Sequence, residues 1–177
     1  MTGRSYGGTT DFAVASTGVK GLKTIVPVAG IASWYEYTNS QGIATGGVAY
    51  SDHLAFMCAG RYINAGVYAN DTEWDPIKDI YPAYLNRIYN DQIALNGDYG
   101  THWATRDYTA GNKGKKTDNG LTYDNFSCPA LIVHGLNDTN VRTKQFQLMY
   151  NSFKNAGQNV KLLLHQGAHI TDRKSVV

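Results

Sequence analysis

Two short apolar runs, residues 130–133 and 160–165, enclose a segment in which Phe146, Met149, Tyr150 and Phe153 recur at three- and four-residue steps. The recurrence predicts a helix over 143–156, closed by Gly157, because a helix buries side chains spaced three and four apart and ends most easily on glycine. The flanking runs are too apolar for strands exposed on one face. They read as buried parallel strands, ending at His134-Gly135 and before a loop at Gly167. Strand, helix, strand in that order is the crossover unit of a parallel sheet, so the chain is expected to be α/β.

A second unit opens the chain. Gly3-Arg4-Ser5-Tyr6-Gly7 is followed by a helical stretch over 9–16, a turn at 18–21 and a β-branched run, LKTIVPV, expected to be a strand over 22–28. Between the two units, residues 39–126 are rich in Tyr, Asn and Asp. Within them Ile80, Tyr84, Leu85, Ile88, Tyr89 and Ala94 follow helical spacing over 77–95, and 111–120 reads as an exposed loop. The expected organisation is therefore core 1–38, a mostly helical lid insertion 39–126, core 127–170 and a tail 171–177. The length of 177 residues suits one domain or a piece of a larger one. A formal net charge of +2 argues against nucleic acid or an acidic membrane as main partner, and no apolar run is long enough to span a bilayer. No secretion signal is read at 1–8, and two isolated cysteines, Cys58 and Cys128, point to free thiols and a cytoplasmic setting.

The chemistry starts at Gly3-Arg4-Ser5-Tyr6-Gly7, a Gly-x-Ser-x-Gly pattern. A serine on a sharp strand-to-helix turn leaves no space beside it, so residues two before and two after should be small. The amide of Tyr6 then points at a developing oxyanion. An ordinary Gly-Ser turn before a helix fits the same five letters. What distinguishes the readings is the order of partners: Asp138 follows the strand 130–133, and His169 follows the strand 160–165. Both positions lie at the carboxyl ends of parallel strands, where such sheets place their sites. His169 would take the proton of Ser5, and Asp138 would orient the imidazole. A turn-forming aspartate is the alternative for Asp138, and His165 competes with His169. His53 and His102 lack partners at metal-ligand spacing, so neither a metal nor another cofactor is expected.

The chain resembles the X-prolyl dipeptidyl aminopeptidase family of lactic acid bacteria, within the wider group that includes cocaine-esterase-like acyl hydrolases. The resemblance is carried by MTGRSY (1–6), TGVKGLKTIV (17–26), SWYEY (33–37), HWATRDY (102–108), LIVHGLND (131–138) and HQGAH (165–169). It implies an α/β-hydrolase fold, the triad Ser5, Asp138 and His169, and release of X-Pro dipeptides from peptide amino termini. It also implies substrate-binding roles for Trp34, Tyr37 and Asn140, and a homodimeric parent. Core packing is the alternative for the two aromatics. An esterase or amidase, or a non-catalytic relative, remains open on the same residues. Glu36, Glu73 and Asp52 are acidic side chains that could meet a substrate ammonium, with none of them assigned.

Several departures from the family stand out. The strand feeding Ser5 is nearly absent, as are earlier strands and the loop that carries a second oxyanion donor, a tyrosine hydroxyl. Thr139 stands where relatives often carry tryptophan, and 171–177 does not resemble them. The chain is thus expected to be an internal piece of a longer enzyme, inactive or poorly folded alone. Its strand 22–28 is expected to be an unpaired edge.

Overall fold

The computed structural model describes residues 1–40, 43–44, 83, 87, 90, 97–109 and 125–169. Their order is β1 (Thr2–Arg4), α1 (Tyr6–Ser16), β2 (Val26–Val28), α2 (Trp34–Thr38), β3 (Asn39–Ser40), β4 (Ile43–Ala44), α3 (Thr101–Ala104), β5 (Ala130–Gly135), α4 (Lys144–Asn155) and β6 (Val160–His165). The chain divides into two compact units, Met1–Tyr37 with Trp103–Val177, and Thr38–His102. In the second, β3 and β4 pair antiparallel, Asn39 opposite Ala44. Ala83, Arg87 and Asn90 are helical and exposed. The remainder of the expected helix 77–95, the loop 111–120, Cys58, Glu73, Asp52, His53 and the tail 171–177 lie outside the described residues.

The first unit is a four-stranded sheet in the order β1-β2-β5-β6, parallel throughout. The expected edge at β2 is therefore corrected: β2 lies inside, between β1 and β5. Its strand is also shorter than expected, three residues instead of the run 22–28, preceded by a single bridge from Ile25 to Ala130. Strand pairing needs a partner alongside, and β1 offers one only opposite Val26, Pro27 and Val28. Leu22–Thr24 precede that register, although the Thr24 hydroxyl still donates to the Pro129 carbonyl. Pro27 has no amide to donate on the β5 side, where the amides of Ile25 and Ala29 supply the bonds instead, to the Pro129 and Val133 carbonyls.

Helices α1 and α4 contribute to one apolar cluster with the sheet. Phe12 and Ala15 come from α1, Met149 and Phe153 from α4, and Ile25, Ile132 and Val160 from in or beside the strands. Phe126 closes it, its ring 4.5 Å from that of Phe153. Burying each phenylalanine contributes about 2–3 kcal/mol. Helix α4 matches its sequence pattern within one residue at each end. It stops on Gly157, whose φ of 71° needs no Cβ penalty. The Gln158 amide bonds back to the Phe153 carbonyl and the Gly157 amide to that of Lys154, which closes the last carbonyls of the helix.

Helix α1 begins earlier than the expected 9–16, directly after Ser5. Its first bond runs from the Thr9 amide to the Ser5 carbonyl. The glycines of this region are not equivalent. A Cβ on Gly3 would lie 2.4 Å from the Gly7 carbonyl carbon, and one on Gly8 would lie 2.9 Å from the Val28 carbonyl oxygen. Gly30 faces Gly8 in turn, at 2.6 Å. A Cβ on Gly7 meets nothing within 4 Å. The small residue required after the turn is therefore Gly8, not the Gly7 of the sequence pattern. Gly8→Ala is expected to cost about 1–3 kcal/mol through overpacking. Gly7→Ala should be neutral or gain about 0.5–1 kcal/mol, as alanine favours helix. Urea midpoints of the two variants check the contrast.

At the end of β5, His134 is buried and its ring lies 5.2 Å from that of Phe146. Its Nε2 is 2.8 Å from the Val141 carbonyl, so Nε2 carries the proton and donates. Burial pushes the His134 pKa below the usual imidazole value, against the pull of the nearby Asp138 carboxylate. His165 and His169 also face it, and would disfavour its charged form if protonated. A depressed folded value means that the unfolded chain takes the proton first as pH falls. The stability from neutral His134 is thus complete above about pH 6.5 and lost below it. Replacing it in His134→Gln, which keeps a donor but does not titrate, should flatten the fall in urea midpoint between pH 7 and pH 5.

Candidate active site

Ser5 sits at the junction of β1 and α1 with φ 54° and ψ −117°, a conformation that side-chain-bearing residues rarely adopt. Its own amide donates to the Val28 carbonyl at 2.9 Å, which pins the turn to the neighbouring strand. Its side chain makes no capping bond to the helix, so the hydroxyl is available elsewhere. That hydroxyl is 2.9 Å from Nε2 of His169. The other nitrogen of His169, Nδ1, is 2.7 Å from Oδ2 of Asp138. With Asp138 as a buried carboxylate, Nδ1 carries the proton and donates, which leaves Nε2 to accept from the serine.

The structure thus brings Ser5, His169 and Asp138 into one chain of hydrogen bonds. The two oxygens of Asp138 have different partners. Oδ1 accepts from the amides of Asn140 and Val141 at 3.0 and 2.8 Å, holding the turn after β5. Oδ2 meets His169. His134, buried beside them, has Nε2 3.8 Å from the same Oδ2. Nothing in the sequence pattern singled out His134 for this neighbourhood beyond its place before Gly135.

The loop that carries His169 approaches the end of β5 very closely. A Cβ on Gly135 would come within 2.3 Å of the Gly167 carbonyl oxygen, so only glycine fits. The Leu136 amide donates to the His165 carbonyl and the Asn137 amide to that of Gly167, at 2.7 and 3.2 Å. His165 has a different task from His169: its Nδ1 accepts the Gly167 amide at 3.1 Å and shapes the loop. The histidine and aspartate loops are therefore tied by backbone bonds, not only through their side chains.

Aromatic side chains gather beside Ser5. The Trp34 ring lies 5.9 Å from that of Tyr6 and 5.8 Å from that of Tyr37. The Trp34 indole N–H donates to the Tyr108 hydroxyl at 3.3 Å. The Tyr37 hydroxyl donates to Oδ1 of Asn140, in the loop after the aspartate. All three residues that the resemblance implies for substrate binding thus belong to one patch. Tyr6 is 60% exposed, and its side chain joins that patch, a placement the sequence pattern did not indicate. Its amide lies in the first turn of α1, where amides have no carbonyl within the helix to bind. Glu36 is paired with Lys144. Cys128 is buried, which pushes its thiol pKa up and makes it a poor nucleophile. No described helix is long and apolar enough to cross a membrane.

A serine-bearing turn from strand to helix, with a carboxylate and a histidine after two later parallel strands, is the α/β-hydrolase arrangement. The chain is 40% identical over 174 residues to the Xaa-Pro dipeptidyl-peptidase of Ligilactobacillus salivarius, covering 96% of this chain and 20% of that one. It is 36% identical over 174 residues to the enzyme of the same name from Pediococcus pentosaceus, covering 96% and 19%. It spans about a fifth of the length of these curated relatives. Among solved structures, a variant of the rice cell wall degrading esterase LipA from Xanthomonas oryzae aligns with a TM-score of 0.49 and 14% identity, over 96% of this chain and 51% of that one. The profile of the X-Pro dipeptidyl-peptidase (S15) family matches residues 1–171. With nearly every residue inside that match, the chain belongs to the X-Pro dipeptidyl-peptidase family, S15.

Proposed function

We propose that Ser5, His169 and Asp138 form the catalytic triad of a serine exopeptidase that removes X-Pro dipeptides from peptide amino termini. The observation that carries this reading is the alignment of the three groups. The hydroxyl lies 2.9 Å from Nε2, and the carboxylate 2.7 Å from Nδ1. In the reaction, Nε2 of His169 takes the Ser5 proton as Oγ attacks the proline carbonyl carbon. The Tyr6 amide faces the oxygen that becomes negative, where a preorganised donor counts most. Imidazolium then gives its proton to the departing peptide amine, leaving an X-Pro ester on Ser5. Water loses a proton to His169 and attacks that ester, freeing the dipeptide carboxylate and restoring the hydroxyl. Asp138 stabilises the imidazolium in both halves without being protonated itself.

Proline selectivity in this reading comes from Trp34, Tyr37 and Asn140. The pyrrolidine ring is compact and apolar, and rigid aromatic faces can exclude water around it without losing much side-chain freedom. The packing of Trp34 between Tyr6 and Tyr37 supports such a slot. A cytoplasmic location and a dimeric parent belong to the same reading, on the strength of the family. In the full-length parent, Ser5→Ala should lower kcat on an X-Pro anilide about 10⁶-fold. Asp138→Asn should lower it about 10⁴-fold, by favouring the wrong imidazole tautomer. Steady-state kinetics and fluorophosphonate labelling of Ser5 check both. Full turnover by the Ser5→Ala variant would end the assignment.

A further inference from the structure

The aromatic patch depends on a side chain from outside it. Gln145 is completely buried in the first turn of α4, 0% exposed. Its Oε1 accepts two backbone amides, from Ala32 at 2.8 Å and Ser33 at 3.0 Å. Its Nε2 donates to the Ser33 carbonyl at 3.2 Å. Two donors and one acceptor on the facing backbone fix the orientation of this amide, since a flipped one would leave three mismatches. The residue after Ser33 is Trp34. The Ser33 carbonyl that Gln145 holds also receives the first helical bond of α2, from Tyr37.

The same short segment is held from its other side by main chain. The Trp34 amide donates to the Arg106 carbonyl, and the Ala32 carbonyl accepts from Tyr108. Gln145 thus completes a clamp around the two residues that launch α2 and its aromatics. It also lies on the helix that directly follows the Asp138 turn. The pair of Lys144 with Glu36 is at a more exposed contact between the same helices, where an ion pair contributes little.

We infer that Gln145 is a positioning residue for proline selectivity: it sets Trp34 and Tyr37 at the height of Ser5 through the backbone of Ala32 and Ser33. The inference rests on the peptidase reading above. A methylene-sized misplacement in a snug apolar slot is worth roughly 10- to 200-fold in discrimination. Loss of Gln145 should therefore act on the choice of substrate and much less on the reactivity of Ser5.

The test compares Gln145→Met and Gln145→Glu with wild type in the full-length parent, using X-Pro and X-Ala anilides. Fluorophosphonate labelling of Ser5 measures the triad independently. Methionine keeps the volume and removes all three bonds, whereas glutamate keeps the acceptor for the two amides and, in its protonated form, a donor for the Ser33 carbonyl. Gln145→Met is expected to raise KM for the proline substrate and cut the Pro/Ala ratio of kcat/KM roughly tenfold or more. Its labelling rate should change no more than about twofold, and Gln145→Glu should recover most of the ratio. A Met variant that labels normally and keeps its Pro/Ala ratio within about twofold overturns the inference. So does a loss that falls equally on both substrates. If Gln145→Met does not fold, the inference stands or falls on whether Gln145→Glu keeps most of the ratio. A wild-type chain that labels but shows no preference for proline overturns the peptidase reading itself, a result separable from any effect of residue 145.

Discussion

Everything at the site depends on how closely α1 can approach the sheet. Ser5 holds a positive φ, and the turn around it leaves no space for side chains at Gly3, Gly8 or Gly30. Ala29, at the end of the adjacent strand, has a positive φ of 52° as well, with its amide bonded to the Val133 carbonyl. Left-handed backbone at a residue with a Cβ costs about 1–2 kcal/mol. It persists here because bonds across the sheet on either side of the turn over-determine it. The result is a hydroxyl that projects from a rigid turn and is not drawn into capping its own helix.

A second close approach places the two side chains that line up with Ser5. Gly135 allows the loop carrying His169 to lie against the end of β5 with backbone bonds on both sides of the contact. Asp138 divides its oxygens between shaping its own turn and holding the imidazole. One side chain thus shapes its own turn and meets the imidazole of the next loop.

Much of this was legible in the residues. Phe146, Met149 and Phe153 gave α4 because burial against a sheet demands their spacing. Gly157 gave its end because few other residues tolerate the required φ. The order of Ser5, Asp138 and His169 gave candidate partners because parallel strands deliver their following loops to one rim. The less successful readings share a cause. The run 22–28 has strand composition throughout, yet its first residues lie outside the three-residue register with β1. Gly7 satisfies the pattern, yet Gly8 meets the sheet. Gln145 stands four residues before Met149 on the buried stripe of α4, a polar residue at an apolar position. That oddity was visible in the sequence, but its partners were not.

The amino-acid order by itself determined the parallel α/β architecture and nominated a serine, a carboxylate and two competing imidazoles. Periodicity, glycine placement and chain order are local properties, and they survive translation into any frame. Which glycine touches which carbonyl, which oxygen of Asp138 faces His169, and that Gln145 reaches Ala32 and Ser33 were decided by the tertiary structure alone. Those contacts join residues more than a hundred positions apart in some cases, the Gln145–Ala32 bond spanning 113. Their distances follow from how the helices settle on the sheet, a collective outcome of packing that no single stretch of chain encodes.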